Sequence, residues 1–117
     1  MKILAIDDKQ DNLTSIKALI KNYMPDLDVI TSLSGKEGLS FAKLEKPDVI
    51  LLDIIMPEMD GYAVCRELKN NVETKHIPII MLTAIKANME TRVKGMDLGA
   101  EAFITKPDDP LGNFCPK

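Results

Sequence analysis

Acidic side chains stand where two apolar runs of this sequence end. Asp7 and Asp8 follow the run at residues 2–6, and Asp53 ends the run that begins at residue 49. A short, continuous apolar run rich in β-branched residues is typical of a strand buried on both faces of a parallel sheet. An aspartate is ionised at neutral pH, so it can act as a nucleophile without a general base. These positions therefore indicate carboxylate chemistry at the ends of buried strands.

A hydroxyl and an amine follow two later apolar runs. Thr83 comes after the run at residues 78–82, and Lys106 comes after the run at 102–104. A lysine supplies a point charge that can pair with a carboxylate or a phosphoryl oxygen, and a threonine can donate a hydrogen bond to the same oxygen. Each residue alone also fits an ordinary turn, and the aspartates alone also fit helix caps. Only the occurrence of all these residues together, each at the end of a predicted strand, is specific evidence for a site.

Three carboxylates brought together repel each other, so a site that keeps them together usually offers a cation in return. Carboxylate oxygens without histidine or cysteine suit Mg²⁺, which binds through few carboxylates and phosphate oxygens. Phosphoryl transfer needs mainly in-line positioning and neutralisation of spread charge. The residues therefore predict a carboxylate that accepts a phosphoryl group with the help of Mg²⁺.

The elements that would position these residues alternate between strand and helix. Apolar runs and helical periodicity predict strands at 2–6, 28–32, 49–53, 78–82 and 102–104, with a helix in each interval. Asp11 or Asn12 is expected to cap the first helix, Ser34 and Glu37 form a capping box for the second, and Gly99 ends the fourth. This alternation favours right-handed crossovers and a parallel sheet covered by helices on both faces. Five strands then end at one edge, where five side chains meet: Asp7, Asp8, Asp53, Thr83 and Lys106.

Length and charge narrow the function classes. The chain has 117 residues and a net charge of −3, which suits one globular domain without a basic surface for nucleic acid. The apolar N-terminal run stops at Asp7, too early for a signal peptide, and no run is long enough to span a membrane. Cys65 and Cys115 are far apart, as expected of reduced thiols in a cytoplasmic protein.

The sequence resembles the receiver domains of two-component response regulators over residues 1–107. The resemblance rests on four motifs in order: Ile6-Asp7-Asp8, Leu52-Asp53-Ile54-Ile55-Met56-Pro57-Glu58-Met59-Asp60-Gly61, Leu82-Thr83-Ala84 and Phe103-Ile104-Thr105-Lys106-Pro107. It implies an α/β, flavodoxin-like, doubly wound five-stranded parallel sheet with strand order 2-1-3-4-5. It also implies a signalling domain that is not a conventional enzyme and assists only its own phosphorylation and dephosphorylation.

The resemblance assigns a role to each site residue. Asp53 would receive the phosphoryl group from a histidine kinase or a histidine phosphotransfer protein. The implied Mg²⁺ ligands are Asp7, Asp8, Asp53 and the backbone carbonyl of Ile55. The implied phosphoryl contacts are Thr83, the backbone of Ala84, and Lys106, which would precede a cis peptide bond to Pro107. Thr83 and Phe103 would form the switch that reshapes the surface around the fourth helix and the fifth strand.

The tail departs from the family pattern. Such domains usually continue into a fifth amphipathic helix, but residues 108–117 contain two prolines and a glycine. We expect no helix there and interpret the tail as a truncation, a frameshifted end or a cloning remnant. Loss of that helix would expose an apolar face of the domain. We therefore expect either lower stability or a second molecule that covers this face, for example in a homodimer.

Three alternatives compete with the phosphoacceptor interpretation. A receiver-like docking module that works without phosphorylation would need none of the set Asp7, Asp8, Asp53, Thr83 and Lys106. A Mg²⁺-dependent phosphatase would need a second carboxylate close after its nucleophile, where Ile55 stands. A flavin or nucleotide binder would need a glycine-rich loop after the first strand, and none is present.

Overall fold

The computed structural model describes residues 1–54, 60–83 and 97–105, with the backbone alone for residues 83 and 103–105. Strands and helices alternate along most of this part of the chain. The strands are β1 (Lys2–Ile6), β2 (Asp28–Ser32), β3 (Val49–Asp53), β4 (Ile79–Thr83) and β5 (Ala102–Thr105). The helices with described bounds are α1 (Gln10–Tyr23), α2 (Gly35–Glu45) and α3 (Gly61–Asn70). Among the described residues, no helix is long and apolar enough to cross a membrane.

The five strands form one parallel sheet in the order β2-β1-β3-β4-β5, so the predicted flavodoxin-like fold is confirmed. The register pairs Ile6 of β1 with Leu52 of β3, and Asp53 with Leu82 of β4. Because β1 and β3 are neighbours and run in the same direction, the residues that follow Ile6 lie beside Asp53. This juxtaposition places the acidic residues at one edge of the sheet.

The core lies mainly between one face of the sheet and the helices α2 and α3. Alternate residues of the central strands point into it, including Ile50, Leu52, Ile79 and Met81, all fully buried. Helix α1 packs on β1 and β2, and its Leu13 is buried but is not part of this cluster. The helices therefore cover both faces of the sheet, as the alternation of elements predicts.

The ends of the helices differ in part from the sequence predictions. Neither Asp11 nor Asn12 caps α1, whose N-cap is Lys9 and which has no side-chain cap. Ser34 does cap α2, since its hydroxyl oxygen accepts from the backbone N–H of Glu37 at 3.1 Å. The Glu37 carboxylate, however, accepts from the backbone of Leu33 rather than from Ser34. Gly99 has the left-handed backbone expected of a helix stop, with φ 104°.

The interpretation of the tail concerns residues 108–117, which lie outside the described residues. The predicted lack of a last helix, and the apolar face that it would expose, therefore stay predictions.

Candidate functional site

Three carboxylates meet at the carboxyl edge of the sheet, as predicted. Asp7 and Asp8 follow β1, and Asp53 ends β3. One carboxylate oxygen from each lies within 4.8 Å of the others. Asp7 and Asp53 are 1% and 6% exposed, whereas Asp8 is only partly buried. The site is thus a compact group of acidic oxygens in which Asp8 is the most exposed residue.

Asp7 is fixed by donors that come from the loop after β1 and from α1. Its backbone N–H donates to the carbonyl oxygen of Ser32 at 3.1 Å, which continues the pairing of β1 with β2. Its Oδ1 accepts from the backbone N–H of Lys9 at 3.0 Å, and its Oδ2 accepts from Nδ2 of Asn12 at 3.2 Å. Each oxygen of this buried carboxylate therefore has a fixed donor, which sets the plane of the carboxylate.

Asp8 differs from Asp7 in its hydrogen bonding. Its Oδ1 is buried, and no described residue donates a hydrogen bond to it. A buried, unpaired carboxylate oxygen costs free energy unless a cation or a donor compensates it. Three carboxylate oxygens close together, and a buried oxygen of Asp8 without a described donor, fit a hard divalent cation such as Mg²⁺.

The chain beyond Asp53 is held close to the strand. The backbone N–H of Ile54 donates to the carbonyl oxygen of Leu82 at 3.2 Å, and the N–H of Gly61 donates to the carbonyl oxygen of Ile54 at 2.7 Å. A Cβ at Gly61 would lie 2.7 Å from Cα of Ile54 and would overlap the carbonyl oxygen of Asp53. The Asp60 side chain caps α3 by accepting from the N–H of Ala63 at 2.9 Å. The start of α3 at Gly61 is therefore held against Asp53 and Ile54 at the end of β3.

The other predicted site residues are described in part or not at all. The backbone of Thr83 ends β4, one residue beyond the partner of Asp53, so it lies at the same edge of the sheet. The backbone of Phe103 lies in β5, paired with Met81. Neither side chain is described. The remaining predicted residues lie outside the described ranges: Ile55, Ala84, Lys106 and Pro107. Their roles, the switch and the cis peptide bond therefore remain predictions.

Two residues matter to the site more than the sequence indicated. Asn12 was expected to cap a helix, yet it donates to Asp7. Gly61 stands out in the sequence only as the end of a motif, yet its lack of a side chain permits the close contact with Asp53 and Ile54. In the sequence, Asn12 stands five residues after Asp7. This spacing alone does not show whether Asn12 caps the helix or binds the residue at the end of the preceding strand.

Comparison with known proteins agrees with this geometry. A sequence model described as the response regulator receiver domain matches residues 3–111. The chain is 40% identical over 115 residues to the response regulator PleD of Caulobacter vibrioides, a match that covers 97% of this chain and 24% of PleD. The chain thus spans about a quarter of the length of that relative.

Solved structures with the same architecture include two forms that bear on the site. The phosphorylated cyanobacterial phytochrome response regulator RcpA is 28% identical, with a TM-score of 0.82, over 97% of this chain and 85% of that one. The Mn²⁺-bound form of the response regulator Rcp1 is 26% identical, with a TM-score of 0.81, over 92% and 82%. With its parallel sheet, its acidic edge and the match over residues 3–111, the chain belongs to the receiver domain family of response regulators.

Proposed function

We propose that this domain is the phosphoacceptor of a two-component phosphorelay, with Asp53 as the residue that is phosphorylated. The observation that carries the proposal is the grouping of Asp53 with Asp7 and Asp8, whose oxygens lie within 4.8 Å of one another. The similar response regulator RcpA was solved in a phosphorylated form, which supports phosphorylation as the function of this domain. Repulsion within this grouping lowers the stability of the fold. A function in phosphoryl transfer therefore accounts for the grouping better than a structural role does.

The reaction begins with an attack by a carboxylate oxygen of Asp53 on the phosphorus of a phosphohistidine. The new P–O bond forms an acyl phosphate, the P–N bond breaks, and the imidazole leaves with the bonding electrons and takes up a proton. The donor would be a histidine kinase or a histidine phosphotransfer protein. A carboxylate is already deprotonated, so its oxygen can attack without a general base.

Magnesium would be held by Asp7, Asp8 and Asp53, together with the backbone carbonyl of Ile55. Oδ1 of Asp8, which has no donor among the described residues, fits this assignment, and the Mn²⁺-bound form of Rcp1 supports a divalent cation in a similar protein. When bound, the cation neutralises the charge that gathers on the phosphoryl oxygens. The residues of the chain do the positioning: Asn12 and the N–H of Lys9 orient Asp7, and Gly61 fixes the backbone after Asp53.

The response to phosphorylation would involve residues at the ends of β4 and β5. Thr83, the backbone of Ala84, and Lys106 would contact the phosphoryl oxygens, with Lys106 held by a cis bond to Pro107. Movement of Thr83 would let the ring of Phe103 turn inward and would reshape the surface near β5. This is a population shift between two packings, driven by the charge and the acceptors of the phosphoryl group. The cytoplasmic location and any homodimer remain predictions from the sequence.

The experiment is intact mass spectrometry after incubation with acetyl phosphate, with and without Mg²⁺. We expect the wild type to gain the mass of one phosphoryl group only with Mg²⁺, and Asp53→Asn to gain none. Asp26→Asn is the matched control, because Asp26 is an exposed aspartate away from the site and should leave the gain unchanged. A folded wild type that gains no phosphoryl group would favour the docking module that works without phosphorylation.

A further inference from the structure

We infer that Asn12 is a positioning residue for the metal site, because its side chain holds the carboxylate of Asp7 by a hydrogen bond and thereby raises the affinity of the site for a divalent cation. The inference rests on the proposed function, since it concerns how tightly the acidic group of Asp7, Asp8 and Asp53 holds Mg²⁺. It gives α1 a part in the site that neither its sequence nor its position as a covering helix suggests.

The hydrogen bonds of Asp7 show how the orientation is set. Nδ2 of Asn12 donates to Oδ2 of Asp7 at 3.2 Å, and the N–H of Lys9 donates to Oδ1 at 3.0 Å. Two donors on different oxygens restrict the rotation of a carboxylate more than either donor does alone. Asp7 is 1% exposed, so bulk water has little access to take the place of Asn12.

The geometry of the first helical turn holds Asn12 in place. The backbone N–H of Asn12 donates to the carbonyl oxygen of Lys9 at 3.1 Å, and the N–H of Lys9 is the group that binds Asp7. Lys9 is the N-cap of α1 and has no side-chain cap. The start of α1 and the carboxylate of Asp7 are therefore parts of one hydrogen-bonded ring.

The chemistry of an amide suits this position better than a charged donor would. The carboxylates of Asp7, Asp8 and Asp53 repel each other, and an N–H donor on one of them stabilises its ionised form. A lysine at the same place would neutralise the group and compete with the cation. A neutral amide supports the negative charge of Asp7 and leaves the full charge of the site available to Mg²⁺. Donors that orient metal ligands in this way typically change metal affinity about 10- to 100-fold when they are removed.

Calorimetric titration of the full chain with Mg²⁺ at constant ionic strength tests the inference. Asn12→Ala removes the donor and the side-chain bulk, while Asn12→Leu removes the donor and keeps a similar volume. Gln10→Ala is the matched control, because Gln10 is an exposed residue of the same helical turn whose side chain donates to Thr14. Thermal unfolding in EDTA, followed by circular dichroism, measures the effect of each change on the fold without metal.

We expect both Asn12 variants to bind Mg²⁺ about tenfold more weakly while folded, and Gln10→Ala to bind as the wild type does. Wild-type affinity in Asn12→Leu would overturn the inference, because the hydrogen bond would then not set the affinity. Loss of folding in both Asn12 variants would also overturn it, because Asn12 would then serve the fold. If the wild type itself binds no Mg²⁺, the metal site of the proposed function fails as well, so the two failures are distinguishable.

Discussion

The two edges of the sheet differ in how their charged side chains are arranged. At the carboxyl edge, Asp7, Asp8 and Asp53 bring like charges within 4.8 Å, and Oδ1 of Asp8 is buried without a described donor. At the amino edge, Nζ of Lys69 donates to the carbonyl oxygens of Lys75 and Ile77 at 3.2 and 3.0 Å. The carboxyl edge thus brings negative charges together, whereas at the amino edge the charge of Lys69 is hydrogen-bonded to nearby carbonyl oxygens.

Further charges at the amino edge are also paired with groups of opposite sign. Nζ of Lys2 lies 3.3 Å from Oε1 of Glu45, and the backbone N–H of Lys2 donates to the Asp48 carboxylate at 2.8 Å. Nζ of Lys69 also lies 3.6 Å from Oε1 of Glu101. Opposite charges at one edge stabilise the fold, whereas like charges at the other destabilise it until a cation binds. The amino edge therefore contributes to stability, whereas the carboxyl edge carries the chemistry of the proposed function.

The largest effect should come from filling the space at Gly61. We expect Gly61→Ala to lower the free energy of unfolding by about 3 kcal/mol, because the new methyl group would meet the rigid backbone of Asp53 and Ile54. Urea denaturation measures it. Gly38→Ala is the comparison: its methyl group would meet the buried Ile6 side chain, with Cγ1 at 2.8 Å, rather than rigid backbone, so we expect a smaller loss of about 2 kcal/mol. Equal losses in the two variants would contradict the rigid contact at the carboxyl edge.

Removal of the Lys69 charge should have the next largest effect. We expect Lys69→Met to lower the free energy of unfolding by about 2 kcal/mol, because two backbone carbonyls lose a charged donor. The effect should be the same with and without Mg²⁺, since Lys69 lies at the amino edge. Glu101→Gln should cost only about 0.5 kcal/mol, because that side chain is 59% exposed. Dependence of the Lys69→Met loss on Mg²⁺ would show that the two edges are coupled.

Removal of one acidic charge should stabilise the metal-free protein. We expect Asp8→Asn to raise the free energy of unfolding in EDTA by about 1 kcal/mol, because it relieves the repulsion from Asp7 and Asp53. Saturating Mg²⁺ should reverse the order, since only the wild type keeps all three carboxylates. The exposed Asp26→Asn serves as the control and should change stability little in either condition. A destabilised Asp8→Asn in EDTA would mean that the three carboxylates do not strain the fold.

The smallest effect concerns the thiol of Cys65. Burial raises the pKa of this thiol above its ordinary value of 9.0, the nearby Lys69 charge lowers it, and Glu101 adds to the rise. A raised pKa in the folded state stabilises the fold at lower pH, and this contribution is lost as the pH rises above 9.0 and through the folded value. The free energy of unfolding should therefore fall more steeply above that pH in the wild type than in Cys65→Ala. Parallel pH profiles of the two proteins would contradict it.

Much of the architecture follows from the sequence. Buried apolar runs and helical periodicity predict the strands β1 to β5 in order, and the strand–helix alternation predicts a parallel sheet. A parallel sheet places all the carboxyl ends of its strands at one edge. The grouping of Asp7, Asp8 and Asp53 therefore follows from their position after apolar runs, before any coordinate is known. The cap formed by Ser34 and the left-handed backbone of Gly99 could also be predicted, because both depend on residues close in sequence.

Contacts between side chains of different elements were decided only by the tertiary structure. Asn12 reaches Asp7 instead of capping α1, and Lys69 reaches the carbonyls before β4. Tyr23 has the helical spacing of a buried residue, yet it is 72% exposed at the end of α1. Periodicity fixes the face of a helix on which a residue lies, but the partner of its side chain depends on the distance between elements and on the rotamer that packing allows. The sequence by itself thus determined which chemical groups share an edge, and the packing of α1 against the end of β1 decided how Asp7 is held there.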